Sequence, residues 1–293
     1  MNNKELAYLY DLYLVPGWRE AFDCIVDDEI ELPREGKILD AGCGTGGYAI
    51  DLAIRCGPKV EVVGVDPNPE RIALAWGKVE VKKVDRVSFR VGSLTDLGSA
   101  ADEFDLVIAD ASMLPAAQIG AFWTELARVT RRGGTVALKL TTRGSFDEFF
   151  SIYWEALYHL QLTGYTPQLE GLITERLTVT EAEQLAAAAR FGQIRSVTRK
   201  ERFDFADAQA FFEAPLIETV FLEDWFSILP DQESRARVKE QLARIIDEER
   251  QGAELDGPPR DAADKVDGEA GANHDALDFD VSIKATLVIA RKP

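Results

Sequence analysis

Short apolar runs alternate with longer amphipathic stretches from residue 37 onward. Runs rich in β-branched residues predict strands, and stretches with apolar residues three or four positions apart predict helices. The predicted strands cover residues 37–39, 60–65, 87–91, 106–109, 135–140, 194–203 and 279–291. Because strands and helices alternate, the pattern predicts an α/β fold, with a parallel sheet and helices on both of its faces.

The pattern also divides the chain into segments of one domain spanning residues 1–293. Two capping boxes, Ser145 with Glu148 and Thr180 with Glu183, predict helix starts after the fifth strand. The predicted segments are an N-terminal helical lid (1–36), a Rossmann-like core (37–204), a helical insertion (205–251), a flexible acidic loop (252–277) and a C-terminal strand (278–293). The loop prediction follows from its many acids, its glycines and its lack of aromatic residues.

Charge and cysteine content narrow the classes of partner. The chain carries 33 basic and 51 acidic residues, a net charge of −18, which disfavours nucleic acid and anionic membrane surfaces. Cys24, Cys43 and Cys56 form no Cys-x-x-Cys pair, so neither a disulfide framework nor a metal site is predicted. Neither a leader peptide nor an apolar run of membrane-spanning length is recognisable, so we expect a cytoplasmic protein.

A glycine-rich turn connects the first predicted strand to a helix. It reads Asp-Ala-Gly-Cys-Gly-Thr-Gly-Gly over residues 40–47, and we expect free amides there to bind an anionic group of a ligand. The second strand ends at Asp66, whose carboxylate can accept hydrogen bonds from both hydroxyls of a ribose. The two features together predict a cofactor that contains adenosine.

The glycines alone do not identify that cofactor. Gly42, Gly44 and Gly47 also satisfy the weak Gly-x-Gly-x-x-Gly pattern of dinucleotide-binding proteins. Asp40 favours S-adenosyl-L-methionine, because a carboxylate would repel a pyrophosphate and attract an ammonium or sulfonium group. An NAD(P)-dependent oxidoreductase remains the second interpretation, and a protein that binds S-adenosylmethionine without catalysis remains the third.

Four motifs in order resemble the class I S-adenosylmethionine-dependent methyltransferases, especially those of ubiquinone and menaquinone biosynthesis. They are I-L-D-A-G-C-G-T-G at 38–46, V-G-V-D at 63–66, F-D-L-V at 104–107 and E-L-A-R-V-T-R-R-G-G at 125–134. The resemblance implies a Rossmann-like, seven-stranded, mostly parallel sheet with an antiparallel last strand, and S-adenosyl-L-methionine as the cofactor. It also implies methyl transfer to a small molecule.

The resemblance further assigns the site to the carboxyl ends of the first strands. The implied cofactor-binding residues are Asp40, Gly42, Cys43, Gly44, Gly46, Asp66, Pro67, Ser93 and Leu94. Asp110 is a further candidate from its place after the fourth strand, and Tyr13 and Trp18 are candidates from the predicted lid, where packing of a helix on the sheet is the alternative. Asp110 and Ser112, just after the fourth strand, are the candidate catalytic residues. Predicted aromatic helices near residues 211–226 indicate a partly hydrophobic substrate, whose nucleophile would attack the methyl group of the cofactor by in-line displacement; the oligomeric state is left open.

Overall fold

A computed structural model describes residues 2–256 and 279–293. Its seven strands are β1 (Glu35–Ala41), β2 (Lys59–Asp66), β3 (Val87–Val91), β4 (Phe104–Asp110), β5 (Thr130–Thr142), β6 (Gly192–Phe205) and β7 (Phe279–Arg291). They form one sheet in the order β3-β2-β1-β4-β5-β7-β6. Strands β1 to β5 pair with one another in parallel, whereas β7 runs antiparallel to β5. The predicted Rossmann-like fold is confirmed.

The strand register brings Asp40, Asp66 and Asp110 to one edge of the sheet. Ala41 at the end of β1 lies opposite Val65 of β2 and Ala109 of β4. Asp66 and Asp110 are the next residues and the last of their strands. The order reverses at β1, and ligands of open α/β sheets bind at the carboxyl ends beside such a reversal.

Helices flank the strands and complete the fold. They are α1 (Asn3–Leu9), α2 (Glu20–Glu29), α3 (Gly47–Arg55), α4 (Pro69–Lys82), α5 (Ala116–Val129), α6 (Asp147–His159), α7 (Thr166–Glu175), α8 (Val179–Ala188), α9 (Ala208–Glu213), α10 (Leu222–Phe226) and α11 (Gln232–Asp256). Two π-helices, Tyr10–Arg19 and Ile217–Phe221, and a 3₁₀ turn, Thr163–Tyr165, join some of them. We call Tyr10–Arg19 the N-terminal π-helix. Among the described residues, no helix is both long and apolar enough to cross a membrane.

The residues cluster into two compact units. The first comprises Met1–Ser145, Thr174–Glu201 and Ile283–Pro293, and the second comprises Phe146–Ile173 and Arg202–Ser282. Helix α11 continues to Asp256, five residues into the segment that the sequence predicts as a loop, and 257–277 lie outside the described residues. The other predicted segment boundaries stay predictions.

The N-terminal helices bury one stripe of side chains. Ala7, Tyr10, Leu14, Trp18 and Phe22 are all less than 9% exposed, and their spacing of three or four residues is typical of one helical face. The residues between them are exposed or half-buried, except Arg19, which is also buried. This stripe decides which aromatic residues of the N-terminal segment can reach the sheet.

The predicted capping box of Ser145 and Glu148 is wrong. Helix α6 begins after Phe146, which makes no side-chain cap. The Ser145 hydroxyl donates instead to the carbonyl of Thr142 at 2.7 Å. The carboxylate of Glu148 accepts a hydrogen bond of 2.6 Å from the hydroxyl of Ser282. Glu148 therefore binds a residue distant in sequence instead of capping the helix, as the local pattern predicted.

The second predicted capping box is shifted by two residues. Thr178 and Glu181 cap α8 reciprocally, whereas the sequence prediction placed the box at Thr180 and Glu183. Both pairs have the same spacing and residue types, so the local pattern could not choose between them.

The aromatic residues of the second unit form a core of their own. Phe149 stacks on Trp225 with ring centroids 4.4 Å apart, and Phe211 packs edge-on against Phe279 at 5.3 Å. All four rings are buried. These aromatic positions therefore provide packing energy to the second unit.

Candidate functional site

A cleft of about 140 Å³ lies in the first unit, at the carboxyl ends of β1, β2 and β4. Its lining combines aromatic and aliphatic side chains with two arginines and two carboxylates. The lining residues are Tyr10, Trp18, Arg19, Gly42, Asp66, Pro67, Arg71, Leu94, Asp110, Ser112, Met113 and Leu114. The structure thus brings seven of the sequence-predicted site residues into one cleft.

The glycine turn between β1 and α3 needs residues without side chains. Gly42 and Gly44 have φ angles of +80° and +57°, which L-residues rarely adopt. A Cβ at Gly44 would lie 2.8 Å from Nη1 of Arg19 and 2.9 Å from the hydroxyl of Tyr10. The turn therefore lets the N-terminal π-helix approach the backbone closely.

The expectation of free amides in this turn is wrong at four positions. The N–H groups of Gly42 and Cys43 donate to the carbonyl of Val65 at 2.7 and 3.0 Å, and that of Gly46 donates to the carbonyl of Cys43. The N–H of Gly44 donates to Oδ2 of Asp66 at 2.9 Å. These donors are already used inside the protein, so they do not form a phosphate-binding cradle.

Asp66 is held in place by the backbone. Besides Gly44, the N–H of Asn68 donates to its other oxygen at 2.9 Å. Nη1 of Arg71 lies 3.9 Å from the same oxygen. The carboxylate lines the cleft, and its four lone-pair positions leave capacity for two more donors, such as the hydroxyls of a ribose.

Asp40 is the most unusual acid of the site. Its side chain is completely buried, and neither carboxylate oxygen has a hydrogen-bond partner. Burial raises the pKa of Asp40 to about 6, although the positive charges of Arg19 and Lys139 oppose the shift. A buried acceptor without a donor costs free energy, which a cationic group close to Asp40 would compensate; Asp40 itself is not among the residues that line the cleft.

Arg19 lies in the cleft and is missing from the sequence prediction. Its Nη1 donates to the carbonyl of Gly42 at 2.7 Å and to the hydroxyl of Tyr10 at 2.9 Å. Its Nη2 lies 3.6 Å from Oδ2 of Asp110 but makes no hydrogen bond. The site therefore contains a buried donor group that remains available to an anion.

Asp110 and Ser112 form a connected pair at the end of β4. Oδ1 of Asp110 accepts bonds from both the N–H and the hydroxyl of Ser112, at 2.9 and 2.6 Å. The indole N–H of Trp18 donates to the same hydroxyl at 2.9 Å. Burial would raise the pKa of Asp110, but Arg19, Lys139 and Ser112 outweigh it and hold the pKa below its ordinary value.

The remaining predicted residues lie around the cleft rather than in it. Cys43 is buried, and burial raises the pKa of its thiol well above the ordinary value, which disfavours a nucleophilic role. Gly46 is the N-cap residue before α3 and has a φ of +74°. Ser93 is exposed and bridges to Asp96, and Tyr13 is 53% exposed and absent from the lining.

Among the N-terminal aromatic residues that could form a lid, sequence reasoning selected Tyr13 rather than the lining residue Tyr10, and it missed Arg19 and Arg71. The buried stripe of the N-terminal helices includes Tyr10 and excludes Tyr13, so a periodicity analysis of residues 7–22 could have identified Tyr10 as the residue that faces the sheet. The guanidinium of Arg71 lies 3.7 Å from the centre of the Tyr10 ring. No local signal marks either arginine, because a helical arginine is usually solvated.

This reversal of strand order with a cleft at its carboxyl ends is the arrangement of a nucleotide- or nucleoside-binding α/β protein. Residues 38–134 match the family described as "Methyltransferase domain". This part of the chain is therefore similar to the methyltransferase domains of known proteins. The match favours this interpretation of the glycine turn over the dinucleotide alternative.

Curated relatives resemble part of the chain. Demethylmenaquinone methyltransferase from Halalkalibacterium halodurans is 30% identical over 128 residues, which are 43% of this chain and 52% of the relative. Magnesium-protoporphyrin O-methyltransferase from Rhodobacter capsulatus is 38% identical over 32% of this chain and 41% of the relative. The chain thus spans about half the length of these relatives.

Solved structures resemble nearly the whole chain in fold. The YcgJ protein of Bacillus subtilis has a TM-score of 0.54 at 18% identity, over 94% of this chain and 98% of that one. Phosphoethanolamine N-methyltransferase 2 of Haemonchus contortus, solved with phosphomonomethylethanolamine and S-adenosylhomocysteine, has the same TM-score at 16% identity, over 99% of this chain and 58% of that one. At such identities the likeness concerns the fold.

Proposed function

We propose that this protein binds S-adenosyl-L-methionine in the cleft and transfers its methyl group to a small, partly hydrophobic molecule. One observation carries the proposal. Behind the cleft lining lies a buried carboxylate without a donor, Asp40, and the positive charge of Arg19 acts on it; Arg19 itself lines the cleft, and its buried Nη2 makes no hydrogen bond. An amino acid zwitterion supplies both missing partners, and the sulfonium adds a positive charge that a diphosphate lacks.

The chain's residues fit the parts of this cofactor. Asp66 would accept the ribose hydroxyls, while Pro67 and Leu94 would contact the adenine with their apolar atoms. Arg19 would bind the carboxylate of the methionine part, and the charges of Asp40 and Asp110 would favour its ammonium and sulfonium. Bound S-adenosylmethionine supplies an electrophilic methyl group whose leaving group departs neutral.

Positioning would provide most of the catalysis, since methyl transfer from a sulfonium needs an aligned nucleophile more than a strong base. Asp110 is ionised and bonded twice by Ser112, and the Ser112 hydroxyl already accepts from Trp18. These contacts favour a role for both residues in orienting ligands rather than in moving protons. Trp18, Met113 and Leu114 would exclude water from the acceptor side.

Calorimetry tests the cofactor assignment. We expect micromolar binding of S-adenosylhomocysteine and no binding of NADH. Asp66→Ala should weaken the affinity at least tenfold, because about 1.5 to 3 kcal/mol is lost for each hydrogen bond to a charged group. Asp85→Ala is the matched control, since that carboxylate is 93% exposed. Binding of NADH in place of S-adenosylhomocysteine would contradict the proposal.

The acceptor can be found with labelled cofactor. Methyl-labelled S-adenosylmethionine is incubated with the protein and a metabolite extract, and labelled products are identified by mass spectrometry. We expect a protein-dependent small product. Tight cofactor binding without any labelled product would favour the alternative of a non-catalytic binding protein.

A further inference from the structure

The N-terminal π-helix contacts all three strand ends of the candidate site. Arg19 bonds the glycine turn after β1 through the carbonyl of Gly42. Tyr10 lies under the guanidinium of Arg71, in the first turns of the helix that follows β2. Trp18 bonds Ser112 after β4, and its side chain is 1% exposed. The π-helix therefore forms one wall of the cleft.

A second set of contacts holds the same π-helix from outside the cleft. The carboxylate of Asp11 accepts hydrogen bonds from the hydroxyl of Thr45 and from the ammonium of Lys78. Nζ of Lys78 also lies 3.1 Å from the Thr45 hydroxyl, so the three groups contact one another pairwise. None of them is among the lining residues of the cleft. We call Asp11, Thr45 and Lys78 the Asp11 cluster.

The Asp11 cluster joins three separate elements. Asp11 belongs to the π-helix, Thr45 to the glycine turn and Lys78 to α4. Thr45 is 1% exposed and lies between Gly44 and Gly46, which both have positive φ angles. Moving the N-terminal π-helix away from the cleft therefore requires breaking its hydrogen bond to Thr45, in the glycine turn between β1 and α3.

The ion pair between Asp11 and Lys78 lies where it can break and form again. The side chains of Asp11 and Lys78 are 25% and 28% exposed, so water can replace their bonds when the helix moves. Arg19 and Trp18, by contrast, are buried and lie against the proposed ligand position. A ligand in the cleft is thus enclosed by residues of the π-helix, while the cluster outside fixes that helix in place.

We propose that the Asp11 cluster is a latch that keeps the N-terminal π-helix closed over the cleft and sets how long the cofactor remains bound. Asp11 is then a positioning residue, because it acts through Thr45 and Lys78 rather than by touching the ligand. The identity of that ligand rests on the proposed function. Breaking the latch speeds opening, so it raises the dissociation rate more than it changes the chemistry inside the closed cleft.

Asp11→Asn tests the latch, since it keeps the shape and removes the charge. We expect the dissociation rate of S-adenosylhomocysteine, measured by stopped-flow displacement, to rise three- to tenfold. Asp85→Asn should leave this rate unchanged. The double variant Asp11→Lys and Lys78→Asp swaps the two charges and should restore part of the slow dissociation. If Asp11→Asn acted only through a loss of packing, the double variant would not restore it.

Hydrogen exchange in the ligand-free protein gives a second readout. We expect peptides covering residues 10–19 to exchange at least threefold faster in Asp11→Asn, with peptides of α2 unchanged. A variant with a wild-type dissociation rate and wild-type exchange over residues 10–19 would overturn the latch. If the wild-type protein does not bind S-adenosylhomocysteine, the proposed function fails, whereas the exchange result still decides whether the latch exists.

Discussion

Asp40 near the end of β1 and Asp110 at the end of β4 lie on neighbouring parallel strands, yet their environments differ. Asp110 accepts two hydrogen bonds from Ser112 and faces Arg19, whereas Asp40 has no hydrogen-bond partner. Burial raises the pKa of Asp40 to about 6, while neighbouring charges and bonds lower that of Asp110. The protein therefore satisfies the hydrogen-bonding capacity of Asp110, whereas it leaves both carboxylate oxygens of Asp40 without a donor.

The largest expected effect concerns the satisfied acid. Asp110→Ala removes the charge nearest to the buried Nη2 of Arg19 and leaves the hydroxyl of Ser112 without its acceptor. We expect the free energy of unfolding to fall by about 3 kcal/mol, as for other broken buried ion pairs. Chemical denaturation measures this, with Asp85→Ala as the control. A loss below 1 kcal/mol would show that Asp110 is not held as the contacts indicate.

Asp40→Asn should have the opposite effect on stability. Because folding raises the pKa of Asp40, stability is lost as pH rises from about 4 to 6, and the loss persists above pH 6. A neutral side chain should regain up to about 3 kcal/mol at pH 7.5. The gain should vanish at pH 4, where the wild-type carboxyl is protonated.

Thermal unfolding of Asp40→Asn and wild type across this pH range is the measurement. Calorimetry should show weaker binding of S-adenosylmethionine to the more stable variant. If Asp40→Asn is less stable than wild type at pH 7.5 and binds S-adenosylmethionine normally, Asp40 does not differ from Asp110 in the way that the structure indicates.

The pH dependence of binding sharpens the comparison further. If the bound sulfonium and ammonium require ionised Asp40, affinity for S-adenosylmethionine should be constant above pH 7 and about tenfold weaker at pH 5. S-adenosylhomocysteine, which lacks the sulfonium charge, should lose less. Asp40→Asn should abolish the difference between pH 5 and 7.5; a variant that keeps it would assign the titration to another group.

The smallest expected effect is that of Ser112→Ala. It removes one bond to Asp110 and the acceptor of the Trp18 indole, but the N–H of residue 112 still donates to Asp110. We expect a loss of about 1 kcal/mol in unfolding free energy and a modest change in methyl transfer. A thousandfold loss of activity with normal binding would instead establish Ser112 as a catalytic residue.

The sequence alone determined the strands, their alternation with helices, and the glycine turn followed by Asp66. These features follow from local periodicity and from short motifs, so they needed no tertiary information. The same local rules misplaced two capping boxes and gave the turn free amides that Val65 and Asp66 in fact occupy. Local rules fail where several side chains compete for the same partner.

Only the tertiary structure decided which charges meet. Arg19 is 23 residues from Gly42 and lies far from Asp110 along the chain, and the buried Lys139 pairs with Asp23 from the N-terminal helices. No periodicity encodes such pairs, because a charged residue has the same local pattern whether it is solvated or buried. The pKa values of Asp40 and Asp110 depend on these long-range encounters, so the fold could be predicted from the sequence while the electrostatics of the site could not.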